Sequence, residues 1–211
     1  MSRQEHISMS VIRRLPRYYR FLTALLDSGI VRISSGELAA RMGITASQIR
    51  QDLNCFGGFG QQGYGYVVED LHRVIGEILG LKTGKKTVLI GAGPMGKVVA
   101  THMFSDSHGF ELIGIFDRDE RIVGTSIKEL TVQNSEELEA FCQIHKPVMA
   151  VICVPKEAVP ELVDSLVKQG VKSFWNFSHF DILLRHPDTV VENVHLNDSL
   201  MTLSYRAEEQ K

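Results

Sequence analysis

One stretch decides the fold: the apolar run Thr87-Val88-Leu89-Ile90, followed at once by Gly91-Ala92-Gly93-Pro94-Met95-Gly96. A strand pattern is followed directly by Gly-x-Gly-x-x-Gly, and Lys97 to Phe104 then show a helical pattern. In that context Gly91 permits a tight turn, Gly93 lets the backbone approach a pyrophosphate, and Gly96 lets helix and strand pack closely. The N–H groups at the start of the helix attract phosphates. The stretch therefore predicts a dinucleotide-binding loop.

The next apolar run ends in an acidic residue. Leu112 to Phe116 forms a second strand pattern, and Asp117 follows it directly. A carboxylate at the end of the second strand accepts hydrogen bonds from a ribose diol and repels a 2′-phosphate, which favours NAD(H) over NADP(H). The alternative, a glycine-rich turn without a dinucleotide, is made less favourable by the placement of Asp117.

Strand and helix patterns alternate through the rest of the C-terminal half. Strand patterns lie at 148–154, 171–177 and 189–194, and helical patterns begin at 136 and 160. This alternation predicts an α/β domain with a doubly wound parallel sheet over residues 85–194. Residues 195–211 then form a C-terminal helix, whose strongly apolar side needs a partner surface in its own or another subunit.

The overall composition is ordinary for a globular protein, with 44% hydrophobic residues, 23% charged residues and a net charge of −2 over 211 residues. The three cysteines lack the spacing of zinc sites and the eight histidines are scattered, so we expect no disulfide framework and no metal. The odd number of cysteines fits a reducing cytoplasm. No run is long and apolar enough to span a bilayer, so we expect no membrane partner.

Positive charge is concentrated at the N-terminal end. The first fifty residues contain eight arginines, no lysine and three acidic residues. Arginine has a planar fork that suits phosphates and guanine edges. The asymmetry predicts contact with nucleic acid, although a solvated helical face would show the same charge.

Two helix patterns separated by a tight turn lie within this basic region. Ser34-Ser35 caps a helix from Gly36 to Met42, Gly43 ends that helix, and Thr45 caps the next one. The second helix has an apolar side and a polar outer face that consists of Ser47, Gln48, Arg50, Gln51 and Asn54. The pattern predicts a helix-turn-helix, and an ordinary helical hairpin is the alternative.

A glycine-rich and aromatic segment, Phe56 to Val68, predicts a tight two-stranded hairpin. Beside a recognition helix, such a hairpin is the wing of a winged-helix domain. A connecting helix over 69–83 and the polar segment 82–86 then mark a domain boundary. The predicted winged-helix domain therefore covers residues 1–84.

Together these segments resemble the Rex family of bacterial redox-sensing repressors over most of the chain. The most specific match is Ser47-Gln48-Ile49-Arg50-Gln51-Asp52-Leu53, followed by Phe56-Gly57 and Gly63-Tyr64-Gly65-Tyr66. The other matching segments are Arg13 to Arg20, Ile33 to Ser35, Ile90 to Gly93, Phe116-Asp117, Val154-Pro155, Gly170 to Lys172, Asn176-Phe177 and Val191 to Val194.

The resemblance implies a homodimer whose winged helices read an inverted-repeat operator in double-stranded DNA and whose Rossmann domains bind NAD(H). It also implies that the C-terminal helix is exchanged between subunits, that NADH releases the DNA, and that the protein is not an enzyme. The implied cofactor-binding residues are Gly91, Ala92, Gly93, Pro94, Met95, Gly96, His102, Asp117, Val154, Pro155, Asn176 and Phe177. The implied DNA-binding residues are Arg14, Ser47, Gln48, Arg50, Gln51, Gln61, Gln62 and Tyr64.

The chain departs from the family pattern at several positions. Gln51 stands where many members have Lys, and Gln61-Gln62 where many have Lys-Arg, so less DNA affinity should come from phosphate charge there. The usual Asn-Phe-Ala-Pro reads Asn176-Phe177-Ser178-His179. His102 replaces a common Tyr and His195 a common Asp, which alters the details of ligand sensing rather than the fold.

Two other functions fit the sequence less well. A small NAD-dependent dehydrogenase would need a substrate domain and a hydride-transfer site, and the sequence suggests neither. A winged-helix regulator that senses another nucleotide, such as coenzyme A, is disfavoured by Asp117. Cys55, between the recognition helix and the wing, is either a peroxide sensor or, as is usual for free cysteine, an inert buried residue.

Overall fold

The computed structural model describes residues 7–57, 60–61, 64–104 and 109–209. The chain divides into two compact units, residues 1–82 and 83–211. Each unit is built around its own buried apolar side chains.

The N-terminal unit is a winged helix. Its elements are α1 (Met9–Ile12), α2 (Leu15–Asp27), β1 (Arg32–Ile33), α3 (Ser35–Met42), α4 (Ala46–Asn54), β2 (Gly60–Gln61), β3 (Gly65–Val67) and α5 (Val68–Ile78). The three short strands form an antiparallel sheet in the order β1-β3-β2. A single core joins the helices, with Leu22, Leu38, Ile49 and Leu71 buried at its centre.

Local sequence signals determine the turn between α3 and α4. Ser34 and Glu37 form a capping box, in which Glu37 N–H donates to Ser34 Oγ at 3.1 Å and Ser34 N–H donates to Glu37 Oε2 at 2.8 Å. Gly43 ends α3 in the left-handed conformation, with a φ of 64°. Thr45 Oγ1 then accepts the N–H of Gln48 at 3.2 Å and caps α4. The helix-turn-helix is therefore encoded by a few adjacent residues.

The C-terminal unit is a Rossmann domain. Its strands are β4 (Lys85–Ile90), β5 (Phe110–Asp117), β6 (Ser126–Ile127), β7 (Leu130–Asn134), β8 (Met149–Ile152), β9 (Ser173–Asn176) and β10 (Val190–Asn193). Its helices are α6 (Pro94–Val98), which continues as a π-helical turn (Val99–Met103), α7 (Leu138–His145), α8 (Val159–Lys168), α9 (Ile182–Arg185) and α10 (Leu196–Glu208). Short 3₁₀ turns at Ser135–Glu137 and Lys156–Ala158 precede α7 and α8.

The strand order identifies the ligand edge of the sheet. The strands lie in the order β10-β9-β8-β4-β5-β7-β6, and all neighbours are parallel except β6 and β7. Counted along the chain, the six parallel strands have the 3-2-1-4-5-6 order of dinucleotide-binding folds. In such sheets ligands bind outside the carboxyl ends, where the strand order reverses between β4 and β8.

Alternate residues of β4 point to opposite faces of the sheet. Val88 and Ile90 belong to the core that α7 and α8 cover, whereas Leu89 belongs to the core beneath the helix after the glycine loop. An apolar run buried on both faces is what a central parallel strand requires. The predicted fold class, a winged helix followed by a doubly wound parallel sheet, is confirmed.

The sequence patterns did not predict β6, β7 or α9. Lys128 turns the β6–β7 hairpin with a φ of 53°, a conformation that its residue type does not signal. The connecting helix ends at Ile78 rather than 83, and Gly80 follows it with a φ of 67°. Lys85 and Lys86 belong to β4 rather than to a linker.

α10 is an amphipathic helix whose apolar side is exposed. None of its residues is buried, and Leu196, Leu200, Met201, Leu203 and Tyr205 are each between 59% and 66% exposed. No helix in the described part of the chain has both the length and the apolar character needed to cross a membrane.

Candidate functional sites

α4 has the two faces expected of a recognition helix. Ile49, Asp52 and Leu53 are buried against the rest of the unit. The outer face is polar and exposed at Ser47, Arg50, Gln51 and Asn54, with Gln48 half-buried. A helix of this kind fits the width of the DNA major groove and can present its side chains to base edges.

Arg14, expected to contact DNA, forms an ion pair inside the N-terminal unit, and its side chain stays 31% exposed. Its Nε and Nη2 donate to the two carboxylate oxygens of Asp52, each at 2.7 Å. Tyr18 Oη donates to Oδ2 of the same carboxylate at 2.7 Å. The Asp52 side chain is 4% exposed. The guanidinium therefore anchors α4 to the start of α2, because a buried carboxylate needs a hydrogen-bonded cation.

Arg17 and Arg50 also make contacts within the N-terminal unit. Arg17 donates to the carbonyl oxygen of Met42 at the end of α3. Arg50 is exposed on α4, and its Nη1 donates to Ser35 Oγ at 2.9 Å, which links α4 to the first residue of α3. Some arginines of the basic N-terminal segment are therefore used in internal contacts. Others lie on the exposed surface, namely Arg13, Arg20, Arg32 and Arg41.

The wing needs glycine where it passes β1. Gly65 has a φ of 69°, and a Cβ there would lie 2.7 Å from the carbonyl oxygen of Ile33. The neighbouring Tyr64 is 70% exposed. Gln61 lies in β2 and pairs with Gly65, whereas Gln62 lies outside the described residues. Of the wing residues predicted to contact DNA, Tyr64 is therefore exposed to solvent.

The glycine loop forms an open cradle. Gly91 has a φ of 97°, and a Cβ there would lie 2.5 Å from the carbonyl oxygen of Cys153. A Cβ at Gly96 would collide with the carbonyl oxygen of Gly91. At Gly93, in contrast, no heavy atom of the described residues, apart from its chain neighbours, lies within 4 Å of the Cβ position. The free space beside Gly93, at the start of α6, is where a pyrophosphate fits.

Asp117 is tied to the glycine loop. Its Oδ2 accepts the N–H of Ala92 at 2.6 Å, and its Oδ1 accepts the N–H of Asp119 at 2.9 Å. The carboxylate therefore joins the end of β5 to the loop, a role that the sequence did not predict. Because each carboxylate oxygen has more than one lone pair, Asp117 can still accept hydrogen bonds from ribose hydroxyls.

Asn176, expected to bind the cofactor, is buried and saturated with hydrogen bonds. Its Nδ2 donates to the carbonyl oxygen of Phe180 at 2.9 Å and to Asn193 Oδ1 at 2.8 Å. Its Oδ1 accepts from the N–H and the hydroxyl of Ser178, at 3.0 and 2.6 Å. With both donors and the acceptor in use, Asn176 shapes the segment after β9 rather than offering its amide to a ligand.

The remaining predicted cofactor residues, except His102, lie at or near the same edge of the sheet. Val154 is half-buried and Pro155 exposed just beyond β8, while Pro94 and Met95 are exposed at the start of α6. Phe177 follows β9 and meets Trp175 edge-on, with ring centroids 4.8 Å apart. His102 is exposed in the π-helical turn at the far end of α6. The next two residues, Met103 and Phe104, line a cavity with the first residues of β5, β8, β9 and β10, so the structure does not bring His102 to the glycine loop.

The cysteines differ in exposure. Cys55 is exposed, so the interpretation of it as a buried residue is wrong, and its Sγ donates to the carbonyl oxygen of Gln51 at 3.4 Å. Cys153 is half-buried, and burial raises the pKa of its thiol to about 12, which keeps it protonated and unreactive. The described residues contain no group of His, Cys, Asp and Glu that could hold a metal ion.

Two family models match the chain. Residues 6–54 match a family described as a putative DNA-binding protein N-terminus. Residues 82–180 match a family described as a CoA binding domain. The two matches fall in the two structural units.

Close relatives cover the full chain. The redox-sensing transcriptional repressor Rex of Caldanaerobacter subterraneus subsp. tengcongensis is 50% identical over 212 residues, which is 100% of this chain and 94% of that protein. The redox-sensing transcriptional repressor Rex of Clostridioides difficile is 49% identical over 98% of each chain.

Solved structures agree in fold. RSP in complex with β-NAD+ and operator DNA superposes with a TM-score of 0.89 and 48% identity, over 97% of this chain and 94% of RSP. RSP in complex with β-NADH superposes with a TM-score of 0.87 and 45% identity, over 97% and 96%.

Proposed function

Because the chain belongs to the Rex family of redox-sensing transcriptional repressors, we propose that it binds operator DNA and leaves it when NADH binds. The observation that carries the proposal is that one chain combines an exposed recognition helix with an open glycine cradle at the ligand edge of its sheet. In this proposal the protein is a regulator rather than an enzyme. It acts in the cytoplasm, where the operator DNA is.

DNA contact is assigned to the outer face of α4 and to the wing. Ser47, Gln48, Arg50 and Gln51 supply hydrogen-bonding groups suited to base edges and phosphates. Tyr64 is the exposed wing residue. Because Gln51 is uncharged, counterion release contributes less at that position than a lysine would provide.

The dinucleotide is assigned to the carboxyl edge of the sheet. The pyrophosphate lies in the cradle beside Gly93, and Asp117 accepts hydrogen bonds from a ribose diol while it repels a 2′-phosphate. Val154, Pro155 and Phe177 form the boundary of the nicotinamide subsite. Bound NAD(H) supplies the redox signal, because its nicotinamide ring exists in an oxidised and a reduced form.

A homodimer is part of the proposal. The exposed apolar residues of α10 form a face that a monomer would leave in water, at an unfavourable free energy. A second apolar surface lies at the amino ends of the strands, where a cavity of about 470 Å³ is lined by Met103, Phe104, Phe110, Met149 and Trp175 among others. Two copies related by a two-fold axis would place two recognition helices on an inverted repeat, about 34–36 Å apart.

The function is tested with an inverted-repeat duplex selected by the full-length protein from a random pool. We expect NADH to release this duplex and acyl-CoA to leave it bound. Thermal unfolding measures ligand binding independently, since a ligand at 100 times its Kd adds about 2.7 kcal/mol of stability. Release by acyl-CoA but not by NADH would contradict the proposal and favour a coenzyme A sensor, which the description of the second family model raises.

Arg50→Ala should weaken operator binding. Loss of a forked contact to guanine costs about 1–3 kcal/mol and relaxes specificity at one base pair, whereas loss of a phosphate contact weakens binding to all sequences equally. Fluorescence anisotropy with the operator and single-base variants distinguishes the two. Arg73→Ala is the matched control, because Arg73 is an exposed arginine of the same unit that pairs with Asp70 and Glu77 on α5. Equal operator affinities for Arg50→Ala and wild type would contradict the assignment of α4 as the recognition helix.

A further inference from the structure

A small cavity lies at the carboxyl edge of the Rossmann sheet, beside the glycine loop. It has a volume of about 210 Å³ and is lined by Met95, Phe177, His179, Val194, Leu196 and Asn197. Met95 comes from the start of α6, Phe177 and His179 from the segment after β9, and the other residues from the end of β10 and the start of α10. We call it the edge cavity. Met95 joins it to the glycine loop, at the edge of the sheet where dinucleotides bind.

His179 is the ionisable side chain among the residues that line the edge cavity. Its ring lies against that of His195, with centroids 5.2 Å apart and planes at 30°. His195 in turn has an acidic partner, since its Nδ1 lies 3.5 Å from Asp198 Oδ2 on α10. The other lining residues, including Met95 from the glycine loop, are uncharged. The edge cavity therefore has no carboxylate among its lining residues, and the exposed His179 is the lining side chain that can carry a charge there.

The two forms of the cofactor differ in charge at the same ring. The nicotinamide of NAD+ carries a positive charge, whereas that of NADH is neutral. Histidine is the side chain that ordinarily gains and loses its proton between pH 5 and 8. Two unit charges about 5 Å apart in water repel each other enough to change a binding constant by about fourfold, and by more where water is excluded. An imidazolium at the wall of the subsite thus penalises the oxidised ring alone.

We propose that His179 is a specificity-determining residue of the nicotinamide subsite, which makes discrimination between NAD+ and NADH depend on pH. The inference rests on the proposed function, because it takes the edge cavity as part of the NAD(H) site. As the pH falls, NAD+ binds more weakly and NADH binding changes little. The protein therefore responds to a lower proportion of NADH in an acidified cell.

The test measures dissociation constants of NAD+ and NADH at pH 6 and pH 8 by isothermal titration calorimetry with the full-length protein. In the wild type, the ratio of the NAD+ constant to the NADH constant should rise at least about threefold from pH 8 to pH 6. Titrations in two buffers with different ionisation enthalpies add a second readout. Between pH 6 and pH 8, binding of NAD+ should release more protons than binding of NADH.

Three variants show which histidine side chain carries the proton that causes the pH dependence. His179→Gln should give the same ratio at both pH values, because its side chain is polar but does not titrate. His145→Gln, on α7 and outside the edge cavity, should behave as wild type. A pH dependence that persists in His179→Gln but disappears in His195→Gln would place the charge on His195 and overturn the assignment. An unchanged ratio in the wild type would overturn this inference alone, whereas wild-type protein that binds neither nucleotide at pH 8 would overturn the proposed function as well.

Discussion

Gly93→Val is expected to abolish NADH binding and leave a repressor that no longer responds to the cofactor. The backbone at Gly93 has a φ of −64° and a ψ of −171°, which any residue can adopt. Among the described residues, no atom beyond its chain neighbours lies within 4 Å of its Cβ position. A valine therefore fits the protein but fills the cradle. Each charged hydrogen bond that the pyrophosphate loses is worth about 1.5–3 kcal/mol, so the loss of two of them should lower the affinity by at least about 100-fold.

Operator binding separates this effect from misfolding. Gly93 is the N-cap residue of α6, where valine is a poor choice and costs up to about 1 kcal/mol of stability. Gly93→Val should still bind the operator, and NADH should fail to release it. Gly84→Val is the control, since the Cβ at Gly84 meets the Glu111 side chain at an ordinary 3.8 Å. NADH binding of wild-type strength in Gly93→Val would contradict the position assigned to the pyrophosphate.

Asp52→Ala should destabilise the winged-helix unit and remove operator binding. The substitution leaves Arg14 without its bidentate partner and the buried Tyr18 hydroxyl without its acceptor. Removing one member of a buried ion pair costs about 3–5 kcal/mol of the free energy of unfolding. Hydrogen–deuterium exchange of the full-length protein checks this, with faster exchange expected in α2 and α4 and unchanged exchange in the Rossmann sheet.

The matched control is Asp70→Ala, which removes an exposed carboxylate 3.6 Å from Arg73 and should cost about 1 kcal/mol or less. Exchange in α2 and α4 that is no faster in Asp52→Ala than in Asp70→Ala would contradict the anchoring role of Asp52.

The same carboxylate gives the unit an acid-dependent stability. Burial acts to raise the pKa of Asp52, but the hydrogen bonds from Arg14 and Tyr18 lower it by more, so its pKa lies below the ordinary 3.8. A lowered pKa means that the stabilisation is fully present above about pH 4 and is lost as the pH falls through the lowered value. The stability difference between wild type and Asp52→Ala should therefore shrink in that acidic range.

Several parts of this protein follow from short segments of sequence. The glycine loop was predictable because its turn, its cradle and its helix start depend on residues within one decapeptide. The turn between α3 and α4 was equally local, with Ser34, Gly43 and Thr45 each at the position where its residue type caps or ends a helix. The alternation of strand and helix patterns predicted the parallel sheet, because each crossover must return the chain to the same edge.

Other roles were decided only by contacts between distant residues. Arg14 and Asp52 are 38 residues apart, and Asn176 and Asn193 are 17 apart, so no spacing in the sequence indicates that either pair forms. An arginine in a basic segment is equally suited to DNA or to a buried carboxylate, and an asparagine beside a cofactor site to a ligand or to the backbone. The partner that each side chain finds depends on which helices and strands pack together. The sequence alone determined the fold and the cradle. The tertiary structure decided how many hydrogen-bonding positions each polar side chain keeps for a ligand, because internal partners use up donors and lone pairs: Asn176 keeps none, whereas Asp117 keeps lone pairs beyond its two internal bonds.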